Sequence, residues 1–294
     1  MSVADENATP AAEPIPPAKL QELLDASLTK PSEGRVYDYY LGGGSNWAID
    51  RAFAQEQIRQ FPDLPWLAKQ NRKFLARSVR YLIKQGIRQF VDIGSGLPTE
   101  GNVHQVAEAA APGEVRVVYV DHDPVAHAHG NLLLDRNGDP NRHRTLLADL
   151  VDAEELWKAV LGTGVINPDE PIGLLIVSVV HFIPAESRPE RAVAYYRSKL
   201  APGSHLVLSH VTDHDMDEES RARLEQVRKN YDKATNPARF RTLDEIRGLF
   251  GDWEFAPPGV VWTAEWQDGD DLDEIQGDID AARSRILAGV ARKP

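Results

Sequence analysis

The segment Phe90 to Gly96, with the sequence FVDIGSG, constrains the fold of this chain more than any other stretch. Its short apolar run ends in Asp92 and is followed by two glycines that are one residue apart. This order is typical of a buried parallel strand that turns sharply into a helix and leaves room for a ligand against bare backbone. Gly94 would permit the tight turn. Gly96 would let the backbone approach a ligand where a Cβ atom would collide.

A second acidic residue stands where nucleoside-binding folds place one. Residues 115–120 are apolar and β-branched, and they predict another buried strand that ends in Asp121. This aspartate follows the glycines by about 25 residues, the position from which α/β folds hold ribose hydroxyls. A strand–turn–helix without a ligand remains the alternative, since Thr99 stands where the dinucleotide fingerprint has its third glycine.

Strands and helices alternate through the middle of the chain. Strands are predicted over 89–93, 115–120, 145–148, 172–178 and 204–209, with helices between them. Strands separated in this way indicate βαβ units, and therefore an α/β fold with a Rossmann-like, doubly wound, mostly parallel sheet. Two late strands, over 253–255 and 260–263, predict an antiparallel hairpin across the turn Pro257-Pro258-Gly259.

We divide the chain into four parts. Residues 1–17 are rich in Ala, Pro and Glu and are expected to form a disordered tail. Residues 18–86 would form an N-terminal helical cover or lid, in which the basic residues of a helix over 66–85 face solvent. Residues 87–267 would form the Rossmann-like domain. Residues 268–294 would form an acidic linker and a terminal helix over 279–290.

The composition excludes several classes of function. The net charge is −12, so nonspecific binding to nucleic acid is not expected. The chain has no cysteine, which excludes disulfides, thiolate nucleophiles and cysteine metal sites. The N-terminus lacks a basic-then-apolar signal pattern, and the longest apolar run, Ile172 to Val180, is far too short to cross a bilayer. We therefore expect a cytoplasmic protein with no membrane partner.

An aromatic and glycine-rich segment lies ahead of the predicted sheet. Tyr37, Tyr39 and Tyr40 directly precede the glycine run 42–44. Loops of this kind can place backbone and aromatic rings beside a ligand. A packed aromatic turn followed by a flexible loop agrees equally well with the composition, so the two interpretations stay open.

Taken together, these motifs resemble the class I S-adenosylmethionine-dependent methyltransferases. More narrowly, the chain resembles the actinobacterial S-adenosyl methyltransferase family over about residues 31–266. The narrower resemblance rests on PSEGRVYDYYLGGGSN (31–46), DIGSGLPTEGNVH (92–104), VYVDHDP (118–124), VHFIP (180–184) and LSH (208–210). The third glycine of 42–44 and the serine after it stand where the family pattern has bulkier or charged residues.

The resemblance implies S-adenosylmethionine as the cofactor and assigns roles by position. The glycine turn would line the methionine end of the cofactor, with Asp92 near its amino group. Asp121 would bind both ribose hydroxyls, and Asp149 with Leu150 would lie at the adenine. The segment 37–46 would fold over the cofactor. The implied cofactor-binding residues are Tyr37, Asp38, Gly42, Asn46, Asp92, Gly94, Ser95, Gly96, Asn102, Asp121, His122, Asp149, Leu150 and Ser178.

The same resemblance places residues 178–181 near the transferable methyl group, which makes His181 a candidate general base. Tyr37 is the second candidate for a catalytic role. A histidine in the sequence VHF is as often a packed, hydrogen-bonded residue. No metal is expected, because Pro124 and the helix after it separate the neighbouring histidines, and Asp121 already has the ribose role.

The sequence therefore predicts a methyltransferase that carries a methyl group from S-adenosylmethionine to a small-molecule acceptor by in-line displacement. A sensor that binds S-adenosylmethionine or S-adenosylhomocysteine without catalysis is one alternative. An NAD-dependent oxidoreductase is another, which the missing third glycine and the late hairpin disfavour. The acceptor, the oligomeric state and the pathway are not predicted.

Overall fold

The computed structural model describes residues 18, 21, 22, 25, 27–98, 101–267 and 280–294, which build an eight-stranded sheet. Five of its strands are parallel and lie in the order β3-β2-β1-β4-β5. They are β1 (Gln89–Ile93), β2 (Arg116–Asp121), β3 (His143–Leu147), β4 (Gly173–Val177) and β5 (His205–Val211). The predicted bounds differ from these by at most two residues, because central strands buried on both faces are continuous apolar runs.

Helices connect the parallel strands as crossovers. They are α4 (Val103–Ala110), α5 (Pro124–Asn137), α6 (Ala153–Gly162) and α7 (Pro189–Lys199), and β5 is followed by α8 (Glu218–Ala234) and α9 (Leu243–Gly248). This alternation confirms the predicted Rossmann-like α/β class. Thr242 caps α9, and its own backbone N–H donates to Glu245 Oε2 at 2.8 Å. This pair is the capping box that the spacing of the two residues predicts.

The antiparallel part of the sheet differs from the prediction. Residues 286–292 form a strand, β8 (Ile286–Arg292), so the predicted terminal helix over 279–290 is wrong there. β8 pairs antiparallel with β5 along seven residues and also with β6 (Glu254–Phe255) and β7 (Val261–Trp262). The late strands are thus antiparallel as predicted, but each pairs with β8 instead of forming a hairpin with the other. A short apolar run that is buried on both faces has no periodicity that separates strand from helix.

Ahead of the sheet, the continuously described part of the chain forms α1 (Glu33–Leu41), α2 (Ala48–Gln60) and α3 (Leu64–Lys84). Arg35 fastens α1 to α2, since its fully buried guanidinium lies 2.7 Å from Asp50 Oδ2. It also donates to the carbonyl oxygens of Ser27 and Lys30, and it lies 3.9 Å from the ring centroid of Trp47. Residues 37–41 of the predicted segment 37–46 are thus helical, and the glycines follow the end of α1.

The basic residues of α3 do not all face solvent, which corrects the sequence interpretation. Arg77 is 1% exposed and donates to the carbonyl oxygens of Trp266 at 2.8 Å and Thr263 at 2.6 Å. Arg72 is half-buried and reaches a cavity described below. Helical periodicity shows only which face a residue occupies, and it cannot show that a distant loop packs against that face.

The helical cover packs against α8 over the carboxyl ends of the parallel strands. Their shared apolar cluster includes Val36, Tyr40, Leu64, Leu67, Leu224, Val227 and Tyr231. Within the described ranges, no helix combines the length and apolar character needed to span a bilayer. The predicted tail 1–17, Thr99 and the acidic stretch 268–273 lie outside the described residues.

Candidate active site

A cavity of about 330 Å³ lies between the helical cover and the carboxyl ends of β1 to β4. In open α/β sheets this edge is where ligands bind, because strand order reverses there and the loops diverge. The volume falls in the range of small-molecule sites. The predicted site residues that line it are Tyr37, Asp92, Gly94, Ser95, Gly96, Asp121, His122, Asp149, Leu150, Ser178 and His181.

The glycine turn after β1 is fixed by backbone contacts to β2. Gly94 and Gly96 have φ of +74° and +66°, conformations that favour glycine. The Gly94 N–H donates to Val120 O at 2.7 Å, and the Gly96 N–H donates to Asp121 Oδ2 at 2.7 Å. A Cβ on Gly94 would lie 2.3 Å from Val179 Cγ2, whereas a Cβ on Gly96 would meet no atom within 4 Å. Gly94 is therefore confined by packing, and Gly96 faces open space.

Two buried carboxyl groups stand on either side of this turn. Burial raises the pKa of Asp92 to about 7; the Arg72 guanidinium opposes that shift, and Asp121 adds to it. Burial also raises the pKa of Asp121, although its carboxylate accepts from the backbone N–H groups of Gly96 and Asp123. A buried carboxylate favours a cation or a hydrogen-bond donor as its partner. Asp92 and Asp121 are therefore suited to a ligand that carries a positive charge or hydrogen-bond donors.

The loop after β3 forms another wall of the cavity. Asp149 Oδ1 accepts from the Val151 N–H at 3.1 Å, and the Leu150 carbonyl accepts from the Tyr196 hydroxyl at 2.7 Å. These bonds hold an apolar side chain and a carboxylate beside each other at the wall. His122 is more open, with 59% of its side chain exposed and its Nδ1 3.7 Å from Asp121 Oδ1.

Four of the predicted cofactor residues lie away from this cavity. Asp38 Oδ2 accepts from Asn46 Nδ2 at 2.7 Å, and Asn46 also donates to the Gly43 carbonyl at 2.8 Å. Gly42 ends α1 with φ of +89°. These contacts shape the loop after α1, and none of the three residues lines the cavity. Asn102 begins α4 and lies on a smaller neighbouring cavity, where Arg72 Nη2 donates to its Oδ1 at 3.1 Å.

A chain of hydrogen bonds joins the end of β4 to the cover. The Ser178 N–H donates to Ser209 Oγ at 3.0 Å, and Ser209 donates to Asn71 Oδ1 at 2.7 Å. Asn71 donates to the Tyr37 hydroxyl at 3.0 Å, and Tyr37 donates to the Ala68 carbonyl at 3.0 Å. This Ser178–Tyr37 chain fixes the position of β4's end relative to α1 and α3. Ser178 has φ of +58°, which is unusual for a residue with a side chain.

His181 lines the cavity just beyond Ser178 and is 5% exposed. Burial, aided by nearby Arg241, lowers its pKa to about 3, so the imidazole is neutral. Its Nδ1 atom is buried and has no hydrogen-bond partner among the described residues. Behind it, His210 lies with Nδ1 2.7 Å from the Val211 carbonyl and Nε2 2.7 Å from Arg241, whose other nitrogen pairs with Glu190. The cation near His181 is thus already partnered.

Sequence patterns did not indicate several residues of the cavity wall. Arg72 and Asn71 belong to α3, and Tyr231 belongs to α8. The one available signal was the apolar face of each helix, which indicates burial and gives no information about what the face covers.

A glycine turn after the first strand, a carboxylate after the second and a cavity over the carboxyl ends define a nucleoside-binding protein of the Rossmann-like class. The sequence profile of a family described as S-adenosyl methyltransferase matches residues 18–294. The chain belongs to this family. It is an S-adenosylmethionine-dependent methyltransferase, and S-adenosylmethionine is its cofactor. The predicted resemblance is therefore confirmed, and the NAD-dependent alternative is set aside.

Two crystal structures show the same architecture over nearly the whole chain. A candidate methyltransferase from Thermobifida fusca YX is 34% identical, with a TM-score of 0.81 over 96% of this chain and 99% of that one. A DUF574 family protein from Streptomyces avermitilis MA-4680 is 30% identical, with a TM-score of 0.79 over 90% and 98% of the two chains. No curated protein matches the sequence.

Proposed function

We propose that this enzyme transfers the methyl group in line to a small-molecule acceptor held in the same cavity as the cofactor. One observation carries the proposal: the cavity is continuous from the carboxylates of Asp92 and Asp121, past Ser178, to a second half under the cover. A methyl donor and an acceptor can therefore meet inside one cavity. Sequence-independent binding to a large polymer would require an open groove instead.

The methionine end of the cofactor fits the wall around the glycine turn. Its α-ammonium group would pair with Asp92. Among the described residues this buried carboxyl group forms no ion pair, and Arg72 influences it only through a Coulombic interaction. Its carboxylate would face the guanidinium of Arg72 at the cavity wall, a cation that is suited to an anion. Both ends of the amino acid would thereby find opposite charge.

The nucleoside end fits the neighbouring wall. Asp121 would accept from both ribose hydroxyls through the remaining lone pairs of the two oxygens that already accept from the Gly96 and Asp123 N–H groups. The adenine would lie against Leu150, with Asp149 at its edge. This arrangement directs the sulfonium toward residues 178–181, beyond which the second half of the cavity begins.

Methyl transfer by displacement depends mainly on alignment and exclusion of water, and no covalent enzyme intermediate is needed. Positioning of two bound reactants contributes roughly 7–11 kcal/mol to such reactions. The Ser178–Tyr37 chain supplies a fixed wall at the reaction point. The cover, packed against α8, keeps that point away from solvent.

Calorimetric titration with S-adenosylmethionine, S-adenosylhomocysteine and NAD tests the binding half of this proposal. We expect the first two to bind with micromolar Kd and NAD to give no heat of binding. Incubation with S-adenosylmethionine and candidate acceptors, followed by mass spectrometry for an added methyl group, tests the transfer half. Binding of NAD alone would contradict the cofactor assignment, whereas binding of cofactor without turnover of any acceptor would favour the sensor alternative.

Binding of S-adenosylhomocysteine is expected to strengthen as pH rises through the pKa of Asp92. The α-ammonium group pairs only with the ionised carboxylate, and in the free protein Asp92 is half protonated near pH 7. With a pKa of about 7, affinity should therefore rise roughly eightfold from pH 6 to pH 7.5. Calorimetry at both pH values measures this change, and proton release should accompany binding at the lower pH.

Asp92→Asn is the control for that measurement. The variant has no titrating group at this position, so its affinity should be lower and nearly constant between pH 6 and pH 7.5. If wild type and variant show the same pH profile, another group is responsible and Asp92 does not bind the ammonium.

A further inference from the structure

The half of the cavity beyond Ser178 has walls that restrict the acceptor. We name this half the acceptor lobe and define it by Leu64, Leu67, Phe182, Leu224, Val227 and Tyr231. The side chains come from the start of α3, from the turn after β4 and from the inner face of α8. Apolar and aromatic surfaces of this kind favour a ligand that is mostly apolar, because burying such a ligand removes unfavourable hydration on both sides.

The charged residues at the edge of the lobe are already partnered. Glu33 Oε1 accepts from the Asn236 N–H at 2.7 Å. Arg228 binds Glu225 at 2.7 Å and Asp232 at 2.6 Å. Arg228 is thus committed to two carboxylates, and Glu33 stands at the edge and not among the apolar side chains of the lobe. A charged acceptor would therefore bury its charge among apolar groups, which is costly.

Two tyrosine hydroxyls form a polar point in the lobe. Tyr40 and Tyr231 are 5% and 7% exposed, and their oxygen atoms lie 3.2 Å apart. Burial raises the pKa of both groups, so both stay protonated. One of the two hydroxyl protons lies in the hydrogen bond between the tyrosines. The second hydroxyl proton has no hydrogen-bond acceptor among the described residues. This pair can therefore donate one hydrogen bond to a ligand oxygen.

A second polar point lies where the lobe meets the methyl site. His181 is neutral, and its buried Nδ1 atom makes no hydrogen bond to the described residues. Its ring centroid is 4.3 Å from that of Phe182, and Phe182 lies 5.7 Å from Tyr231. The three rings form a continuous aromatic wall that leads from one polar point to the other. Offset contact with such a wall suits a planar ring system.

We propose that the methyl acceptor is a neutral, mainly apolar phenol, with its ring system in the acceptor lobe and its hydroxyl group at His181. A second oxygen on the far side of the rings would accept from the Tyr40–Tyr231 pair. This inference rests on the proposed function, since it requires the cofactor's methyl group to point toward Ser178.

The reaction balances without a further reagent. The phenol oxygen forms a bond to the methyl carbon as the C–S bond breaks, and the electron pair of that bond returns to sulfur, which becomes a neutral thioether. The phenol proton passes to His181 and then to solvent. His181 is a weak base here, but the protonated aryl ether that forms at full transfer is a far stronger acid than an imidazolium, so the imidazole can accept that proton.

Three naphthalene probes of similar size test the charge preference of the lobe. They are 1-naphthol, which is neutral, 1-naphthylmethylamine, which is a cation, and 1-naphthoate, which is an anion. Each is titrated into enzyme saturated with S-adenosylhomocysteine. We expect 1-naphthol to bind at least about tenfold more tightly than either charged probe, because the lobe has no partner for their charges. Methylation of 1-naphthol from S-adenosylmethionine is detected by mass spectrometry.

Leu224→Gln places an amide in the lobe wall, and Leu132→Gln makes the same change at a position that is 56% exposed on α5. The first variant should weaken binding of 1-naphthol about tenfold and the second should leave it unchanged. Affinity for S-adenosylhomocysteine should stay within about twofold in both variants, which also shows that they are folded.

Tyr231→Phe removes one hydroxyl and keeps the ring. Wild type should bind 1,5-dihydroxynaphthalene about fivefold more tightly than 1-naphthol, and this preference should disappear in the variant.

The outcomes separate the inference from the function on which it rests. Failure to bind S-adenosylhomocysteine would overturn the proposed function. Normal binding of S-adenosylhomocysteine with no binding of 1-naphthol, or with equal or tighter binding of a charged probe, would overturn the neutral-phenol assignment alone. Equal loss of 1-naphthol binding in Leu224→Gln and Leu132→Gln would show that the probe binds outside the lobe.

Discussion

Replacing Asp121 by asparagine is expected to weaken the binding of S-adenosylhomocysteine about 100-fold. Hydrogen bonds to a charged acceptor contribute about 1.5–3 kcal/mol each, and the ribose would donate two of them to this carboxylate. Loss of the charge should cost about 3 kcal/mol in total, which corresponds to the 100-fold change. Calorimetric titration measures the Kd of both proteins.

The structure makes asparagine a better choice than alanine for this test. One oxygen of Asp121 accepts from the Gly96 N–H and the other accepts from the Asp123 N–H, so alanine would also release the glycine turn. Asparagine has the same size and keeps an acceptor for one of these two N–H groups. Asp135→Asn, at an exposed position on α5, is the matched control and should bind like wild type. An Asp121→Asn affinity within threefold of wild type would remove Asp121 from the ribose site.

Alanine at Gly96 is expected to reduce cofactor affinity more than 100-fold and to leave the fold intact. A Cβ there meets no protein atom within 4 Å, so it would project into the cavity that the methionine end should occupy. The positive φ of +66° adds a conformational cost, which is about 1–2 kcal/mol for a residue with a side chain. Urea unfolding measures that cost, and calorimetry measures the loss of binding.

Gly94→Ala is the matched comparison, because its φ of +74° imposes a similar backbone cost. Its Cβ would lie 2.3 Å from Val179 Cγ2, so the variant should lose clearly more stability than Gly96→Ala. The expected contrast is a binding defect in a stable protein at position 96 and a stability defect at position 94. Normal cofactor affinity in a folded Gly96→Ala variant would show that the ligand does not approach this backbone.

The half of the cavity near the glycine turn was predictable because its residues follow strand ends. Asp92, Gly96, Asp121 and Asp149 each come directly after a recognisable apolar run or stand within a few residues of its end. In a parallel sheet those ends meet at one edge, so a one-dimensional pattern already specifies a shared location. The structure places these four residues on one cavity as the pattern indicates.

The remaining features depend on contacts that sequence spacing does not encode. Arg77 was interpreted as solvent-facing because nothing in α3 indicates that the Thr263 and Trp266 carbonyls lie against it. β8 was assigned to a helix because its apolar run is buried on both faces. The acceptor lobe combines side chains from α3 and α8, which are about 150 residues apart in the chain, and long-range packing of that kind has no local signature.

The Ser178–Tyr37 chain has a consequence for proton movement. Each donor in it points the same way, from the Ser178 N–H through Ser209, Asn71 and Tyr37 to the Ala68 carbonyl. Both ends are backbone groups: an amide N–H cannot accept a proton, and a carbonyl has none to give. The direction of every bond is therefore fixed, and the assembly cannot act as a proton wire. It is a fixed strut, so a proton released beside Ser178 in the proposed reaction would need another route, and His181 is the neighbouring titratable group on the cavity wall.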